Sequence, residues 1–359
     1  MKVKFSTKPL LTVLNRFSAV CGTNAVVSAT EGILIDCGEN EATNTAILSG
    51  TNLRTTLEVQ ISCEIGEAGA VIVPWRLLLD TVKAASTEHL TLTSDGTSAT
   101  LAGKGKYKMP VFDPRQFPNV EIPPAGDVIL TPADFQCIEK CLPFAGNDEL
   151  RPPFTGVNMT ATPAGTEYCA TDGNRLCVAK SSTIAYEFIA ILPAELCKVL
   201  KSATTAVSLG QTERELIVTG EGWRMKVAKI DGKFPAYQQV IPKDNLYRLT
   251  VSKTAFISSL RRVGIYSDTN THAVDLRLTE GKEMRISAID TNFDLQAEET
   301  LGCTYRGEDM EIRFNAKFLS GALQAADADE VFFEIGHPTK ATLIRNPNGL
   351  VLVMPLFVG

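Results

Sequence analysis

The chain has 359 residues, 35 of them Lys or Arg and 41 Asp or Glu, for a formal charge of −6; 44% are hydrophobic and 21% charged. This composition excludes a disordered tail, because apolar content is high and charge per residue is low. It also excludes a helical membrane span, since the longest apolar stretch falls far short of the roughly 20 residues required. The opening Met1-Lys2-Val3-Lys4-Phe5-Ser6 has no apolar signal core, so a cytoplasmic location is expected. A negative sum argues, at face value, against a nucleic-acid partner.

In chain order, a strand ending at Phe5 meets a Ser/Thr cap and a helix with Leu11, Leu14, Phe17 and Val20 on one face. Val71-Ile72-Val73-Pro74 reads as a second strand and helix start. Thr91 to Leu101 reads as a hairpin about Asp95-Gly96, and Phe112 to Pro118 closes the unit. The pattern restarts at Leu130-Thr131-Pro132, with Phe135, Ile138 and Leu142 on the helix, and passes through Ala170-Thr171-Asp172-Gly173 and Ala190-Ile191-Leu192-Pro193. It restarts again at Leu249, with Phe256, Leu260 and Val263, then Ala288-Ile289-Asp290-Thr291 and Glu311 to Asn315. Val73, Leu192 and Phe314 stand 119 and 122 residues apart. Three units follow, 1–124, 125–244 and 245–359, with breaks in Ile122-Pro123-Pro124-Ala125-Gly126 and Ile241-Pro242-Lys243-Asp244-Asn245. Each unit is expected to be α+β: two helices packed on antiparallel sheets.

The expected helices (7–20, 74–86, 131–146, 193–204, 252–267 and 315–328) hold 11 basic and 5 acidic residues, leaving about −12 on the rest. Such a layer suits a polyanion; it is also what solvated helix faces often carry. Nine scattered cysteines include no Cys-x-x-Cys, and the three histidines lie at no metal-ligand spacing. They read as buried thiols, with no metal or cofactor expected. No phosphate-loop, nucleophile-elbow or metalloprotease motif occurs. Asp172 and Arg175 fit either the acid and Arg clamp of a hydrolase or a strand entering an Asp-Gly turn.

Ala170 to Leu176, Asp231 to Tyr237 with Val240 to Lys243, Tyr305 to Asn315 and the Val353-Met354-Pro355 ending resemble the bacterial DNA polymerase III beta subunit family, the sliding clamps. The resemblance spans the chain and is weakest in the first unit. It implies three clamp domains, closed by a head-to-tail homodimer into a six-domain ring around duplex DNA. Contacts would be to phosphate, without sequence readout. The clamp would tether a replicative DNA polymerase as a processivity factor. It would make or break no bond itself, exonuclease activity included. Other implied partners are a clamp loader, repair polymerases, mismatch repair proteins and ligase; no membrane is involved. A phage-borne or accessory variant clamp for another polymerase is the alternative.

The resemblance also implies sites. A hydrophobic cleft for partner peptides, between the second and third units, would comprise Phe154, Thr171, Gly173, Asn174, Arg175, Leu176, Pro235, Gln239 and Val240, walled by Leu352, Val353, Met354, Pro355 and Leu356. The family often has His at Asn174 and a basic residue at Gln239. DNA contacts would fall on Arg76 and Arg151 by matched position, and on Lys8, Arg16, Lys83, Lys198, Lys201, Lys253, Arg261 and Arg262 by helix placement. A basic loop residue of the family has no counterpart near Asn24. The dimer contact would use Tyr107, Ile265 and Tyr266, with Lys104, Lys106 and Lys108 facing Asp294, Glu298 and Glu299.

Overall fold

The structure, a computed structural model, describes residues 1–22, 28–38, 44–182 and 187–357; Asn24 lies outside them. All six expected helices form: α1 (Thr7–Arg16), α2 (Trp75–Ala84), α3 (Pro132–Cys141), α4 (Ala194–Lys201), α5 (Lys253–Val263) and α6 (Ala316–Gln324). Each follows a strand directly, and local chemistry sets the starts. Asn315 caps α6 by accepting from the Lys317 and Phe318 amides, and Ser252 caps α5. Asp134 takes the Thr131 amide at 2.8 Å, while α2 and α4 begin right after Pro74 and Pro193. The helices are shorter than the periodicity suggests because 3-10 turns finish α1, α3 and α5.

The described residues divide into two compact units, 1–135 with 193–229, and 136–192 with 230–359. The first unit holds two antiparallel sheets. One has five strands, in the order Glu64–Glu67, Lys2–Ser6, His89–Ser94, Ser98–Ala102 and Lys106–Pro110. The other has eight: Val128–Leu130, Val207–Gln211, Glu215–Gly220, Trp223–Ala228, Thr55–Ser62, Thr45–Thr51, Gly32–Asp36 and Ala70–Pro74. Its core carries the buried stripes Leu10, Val13, Leu14 and Leu78, Leu79, Val82, and the Trp75 indole donates to the Leu14 carbonyl at 3.0 Å.

The second unit is built on one twelve-stranded sheet. Phe188–Pro193, Gly156–Thr162, Gly165–Thr171 and Arg175–Ser181 lead into Gly349–Val353, Thr342–Asn346, Glu330–Ile335, Tyr247–Ser252, Leu295–Arg306, Gly281–Asp290, Ala273–Leu278 and Met310–Asn315. Phe256, Leu260 and Val263 of α5 and Leu319 and Leu323 of α6 bury against it, and Phe256 meets Phe333 edge-on at 6.0 Å.

The middle repeat contributes strands to both units because its sheets pair outward. In one seam Trp223 to Val227 run against Val59 to Thr55; in another Val353 to Gly349 run against Arg175 to Ala179. Both seams end on the same bond: the Ala228 amide donates to Arg54 O and the Met354 amide to Asn174 O, each at 2.8 Å. Even the hairpin tips repeat. The Thr51 hydroxyl donates to Thr55 O while Asn52 Oδ1 takes two amides, and the Thr171 hydroxyl donates to Arg175 O while Asp172 Oδ1 takes two.

Candidate functional site

A groove of about 460 Å³ lies in the second unit, where the tip of the Gly165–Thr171 and Arg175–Ser181 hairpin meets the end of the Gly349–Val353 strand. Pro355 cannot donate to a ladder, and the sheet ends at Val353. The hairpin tip is rigid for local reasons. Asp172 holds the Asn174 and Arg175 amides at 2.9 and 2.8 Å, and Gly173 supplies the φ of +94° that the turn needs.

Arg175 and Asp172 neutralise each other at 2.9 Å. The guanidinium also donates to Pro143 O and stacks against Phe144 and Phe318 at 5.2 and 4.4 Å. Every strong bond of this pair serves the turn and its packing, so the hydrolase reading gives way to the structural one.

Nine of the expected cleft residues line the groove: Thr171, Gly173, Asn174, Arg175, Leu176, Gln239, Val240, Leu352 and Met354. Its floor is an apolar cluster of Cys169, Leu176, Val178, Tyr237, Ala341, Leu343 and Leu352. The Tyr237 hydroxyl donates to Glu167, and burial together with that carboxylate pushes its phenol up from the ordinary range. At the mouth, Val240 is 60% and Met354 37% exposed.

The other five expected residues stand outside the lining. Phe154 sits under the Arg151 guanidinium at 4.8 Å. Val353 is buried; successive strand residues point to opposite faces, so Leu352 faces the groove and Val353 does not. Pro235 accepts the Tyr237 amide, and Leu356 is drawn away by its own amide bond to Arg313 O at 2.7 Å, with Pro355 leading to it.

The groove adds five residues that sequence reading missed: Ile241, Pro242, Asp244, Lys340 and Ala341. The first three continue the Val240-Ile241-Pro242-Lys243 motif and were within reach. Lys340 and Ala341 arrive only through strand pairing of Thr342–Asn346. Lys340 pairs with Asp244 at the rim at 2.5 Å.

The basic residues divide sharply. Lys8, Lys83, Lys198 and Arg261 are exposed, with no ion pair among the described residues, and Lys201 is exposed too. Arg76 pairs with Asp80 at 2.9 Å, and Arg151 with Asp148 at 2.8 Å. Arg262 grips Glu299 with two bonds of 2.7 Å. Lys253 donates to Ala326 O at 3.1 Å. Arg16 is half-buried over Trp223 at 5.9 Å with its Nε unpartnered, and burial lowers its pKa.

Of the expected dimer residues, Tyr107, Ile265 and Tyr266 are 45%, 72% and 41% exposed. Lys104, Lys106, Lys108 and Asp294 are also exposed. The two glutamates are already engaged within their own unit. Glu298 lies 3.3 Å from Arg285, and the pKa of the Glu299 carboxyl is lowered by its bonds to Arg262 and the Ser259 hydroxyl. Eight cysteines are buried and Cys303 is half-buried, its thiol pushed up to about 11 by burial. Among the described residues no helix is long and apolar enough to cross a membrane.

These features match known proteins along the whole chain. The model of the DNA polymerase III beta subunit N-terminal domain matches residues 1–121, and that of its C-terminal domain residues 238–353. The beta sliding clamp of Rickettsia bellii is 27% identical, covering 100% of both chains. That of Vibrio cholerae is 26% identical over 99% of this chain and 100% of its own. The solved DNA polymerase III beta subunit of Thermotoga maritima superposes with a TM-score of 0.86 at 21% identity, covering 100% of each chain. A sliding clamp from Bartonella birtlesii, bound to griselimycin, gives 0.86 at 23%, also covering 100% of each. The chain belongs to the DNA polymerase III beta subunit family, the beta sliding clamps.

Proposed function

We propose that this chain is the processivity clamp of a DNA polymerase: two copies close head to tail around duplex DNA and hold the enzyme through the groove. The observation that carries this reading is a pair of open strand edges. Among the described residues, Lys106–Pro110 ends the five-stranded sheet, and Leu295–Gly302 is paired on one side only, because Tyr247–Ser252 reaches only Cys303 to Arg306.

These edges are counterparts of the two internal seams. From the helix starts, paired residues lead from Phe5 through Leu90, Leu92 and Leu101 to Tyr107. The same steps lead from Leu130 to Met225 and from Val251 to Val351. In the facing hairpins Leu57, Cys177 and Ala297 correspond, across from Gly50, Ala170 and Ala288. Met225 pairs with Leu57 and Val351 with Cys177. The third seam would therefore set Tyr107 of one copy against Ala297 of another, with Lys106 opposite Glu298. One chain supplies one edge of each kind, so the contact is heterologous, and closure at two copies is what the family resemblance implies.

Three domains, 1–124, 125–244 and 245–359, account for the threefold pattern. Lys8, Lys83, Lys198, Lys201 and Arg261 are the helix cations best placed to meet phosphate, without base readout. The groove suits a short extended peptide with Leu or Phe side chains, from the polymerase, clamp loader or repair proteins. The clamp itself is non-enzymatic and cytoplasmic. Retention on nicked circular DNA tests this function: the protein should stay on the circle and leave once it is linearised. Equal retention on both forms would contradict a topological link.

A further inference from the structure

The third seam lacks a bond that the other two share. Ala228 and Met354 each donate an amide hydrogen to the facing hairpin tip. Their counterpart, three residues past Tyr107, is Pro110, which has no N–H to give. The facing tip differs as well. The turn linking Ala288 to its partner Ala297 is two residues longer than those linking Ala170 to Cys177 and Gly50 to Leu57. That longer tip is apolar and exposed: Phe293 at 69%, Ile289 at 53% and Leu295 at 38%. Asp294 beside them holds a left-handed φ of 53°.

We infer that the hairpin tip Ile289–Leu295 is an apolar latch of the copy–copy contact, in which Phe293 of one chain packs on Pro110 and Val111 of a second. This rests on the head-to-tail reading. Three observations select a second copy as the occupant. The tip continues the open edge Leu295–Gly302 without a break, so a strand added in the register above ends at it. At the internal seams the same position of the adding strand touches the tip, as the Met354 and Ala228 bonds show. The charges complement: Lys104, Lys106 and Lys108 are exposed on one edge and Asp294 is exposed beside the other, where Glu298 already pairs with Arg285. An exposed Phe293 at the tip is unfavourable in water, and covering it supplies contact where the hydrogen bond is missing.

Sedimentation equilibrium over a dilution series tests the latch, using the full chain, Phe293→Asp, Ile289→Asp/Phe293→Asp and Phe332→Asp. Phe332 is also exposed, at 53%, but lies on an interior strand of the sheet. The latch predicts that Phe293→Asp raises the dimer dissociation constant at least ten-fold and the double variant further. Phe332→Asp should leave it unchanged, and all should keep the far-ultraviolet circular dichroism of the parent. A change below two-fold in Phe293→Asp, while Ile265→Asp still yields monomers, would overturn the latch and leave the dimer standing. Dimers persisting in both variants would overturn the head-to-tail reading itself. Unchanged dimerisation with lost capture of a polymerase tail peptide would assign the tip to a different protein and also overturn the latch.

Discussion

The two seams inside the chain share a register and a closing hydrogen bond, yet their tips are filled differently. At the first, Thr51 and Thr56 are buried with their hydroxyl oxygens 2.9 Å apart, and Lys226 stands opposite Thr56 and pairs with Glu215 at 3.3 Å. At the second, the corresponding pair is Leu176 opposite Leu352, followed by Met354, and an apolar groove opens. The backbone builds equivalent junctions; a few side chains decide that an apolar groove opens at the second. The proposed third junction, between copies, would use the same geometry with Pro110 where the others have a donor.

The two seams differ first in the backbone. Gly349 begins the groove's adding strand at φ +158°, and a Cβ there would stand 2.0 Å from Val178 O. The first seam has Trp223 at the equivalent place, so only the second depends on a glycine. Gly349→Ala is expected to cost about 3 kcal/mol or more, read as a lower urea midpoint.

Next comes the groove itself. Leu176→Thr makes the second tip resemble the first and should weaken a Leu/Phe polymerase tail peptide about thirty-fold, or about 2 kcal/mol, by titration calorimetry. Met354→Ala should lose about ten-fold. Unchanged affinity in both would remove the groove from partner binding.

The tips differ in charge as well as polarity. Asp172→Ala strands Arg175 between two rings and should cost about 2 kcal/mol; Asn52→Ala removes only neutral turn bonds and should cost about 1 kcal/mol. Equal losses in chemical denaturation would mean that the Arg175 clamp adds nothing to the turn.

The smallest effect concerns Glu299, beside the proposed third seam. Folding lowers its pKa, so its contribution is present above the ordinary carboxylate range and fades as pH falls through the folded value. Wild type and Glu299→Gln should differ in urea midpoint at pH 7 and converge toward pH 3. A constant difference would show that Arg262 does not hold the carboxylate.

Much of this organisation was legible in the residues. Periodic stripes such as Leu14, Phe17 and Val20, the caps at Ser252 and Asn315 and the 119- and 122-residue spacings are local signals, and they place the six helices and the threefold pattern. Thr171 to Leu176 and Leu352 were legible through motif resemblance. What stayed hidden depends on long-range pairing. Lys340 reaches the groove only because Thr342–Asn346 pairs with the C-terminal strand. The helix charge was legible as a sum but not residue by residue, since Arg262 is claimed by a glutamate 37 positions away and Arg16 lies over Trp223. Val353 and Leu352 look alike in sequence; alternation about the sheet separates them.

The proposed third seam would repeat the first two, between copies. The most direct measurement pairs Tyr107→Cys with Ala297→Cys in one chain, oxidises it under non-denaturing conditions and resolves the products on a non-reducing denaturing gel, with the unmodified chain as control. The predicted result is one covalent species, a closed dimer linked at both seams, while Tyr107→Cys with Leu301→Cys gives none. Monomer alone, or a ladder of ever larger oligomers, would contradict it.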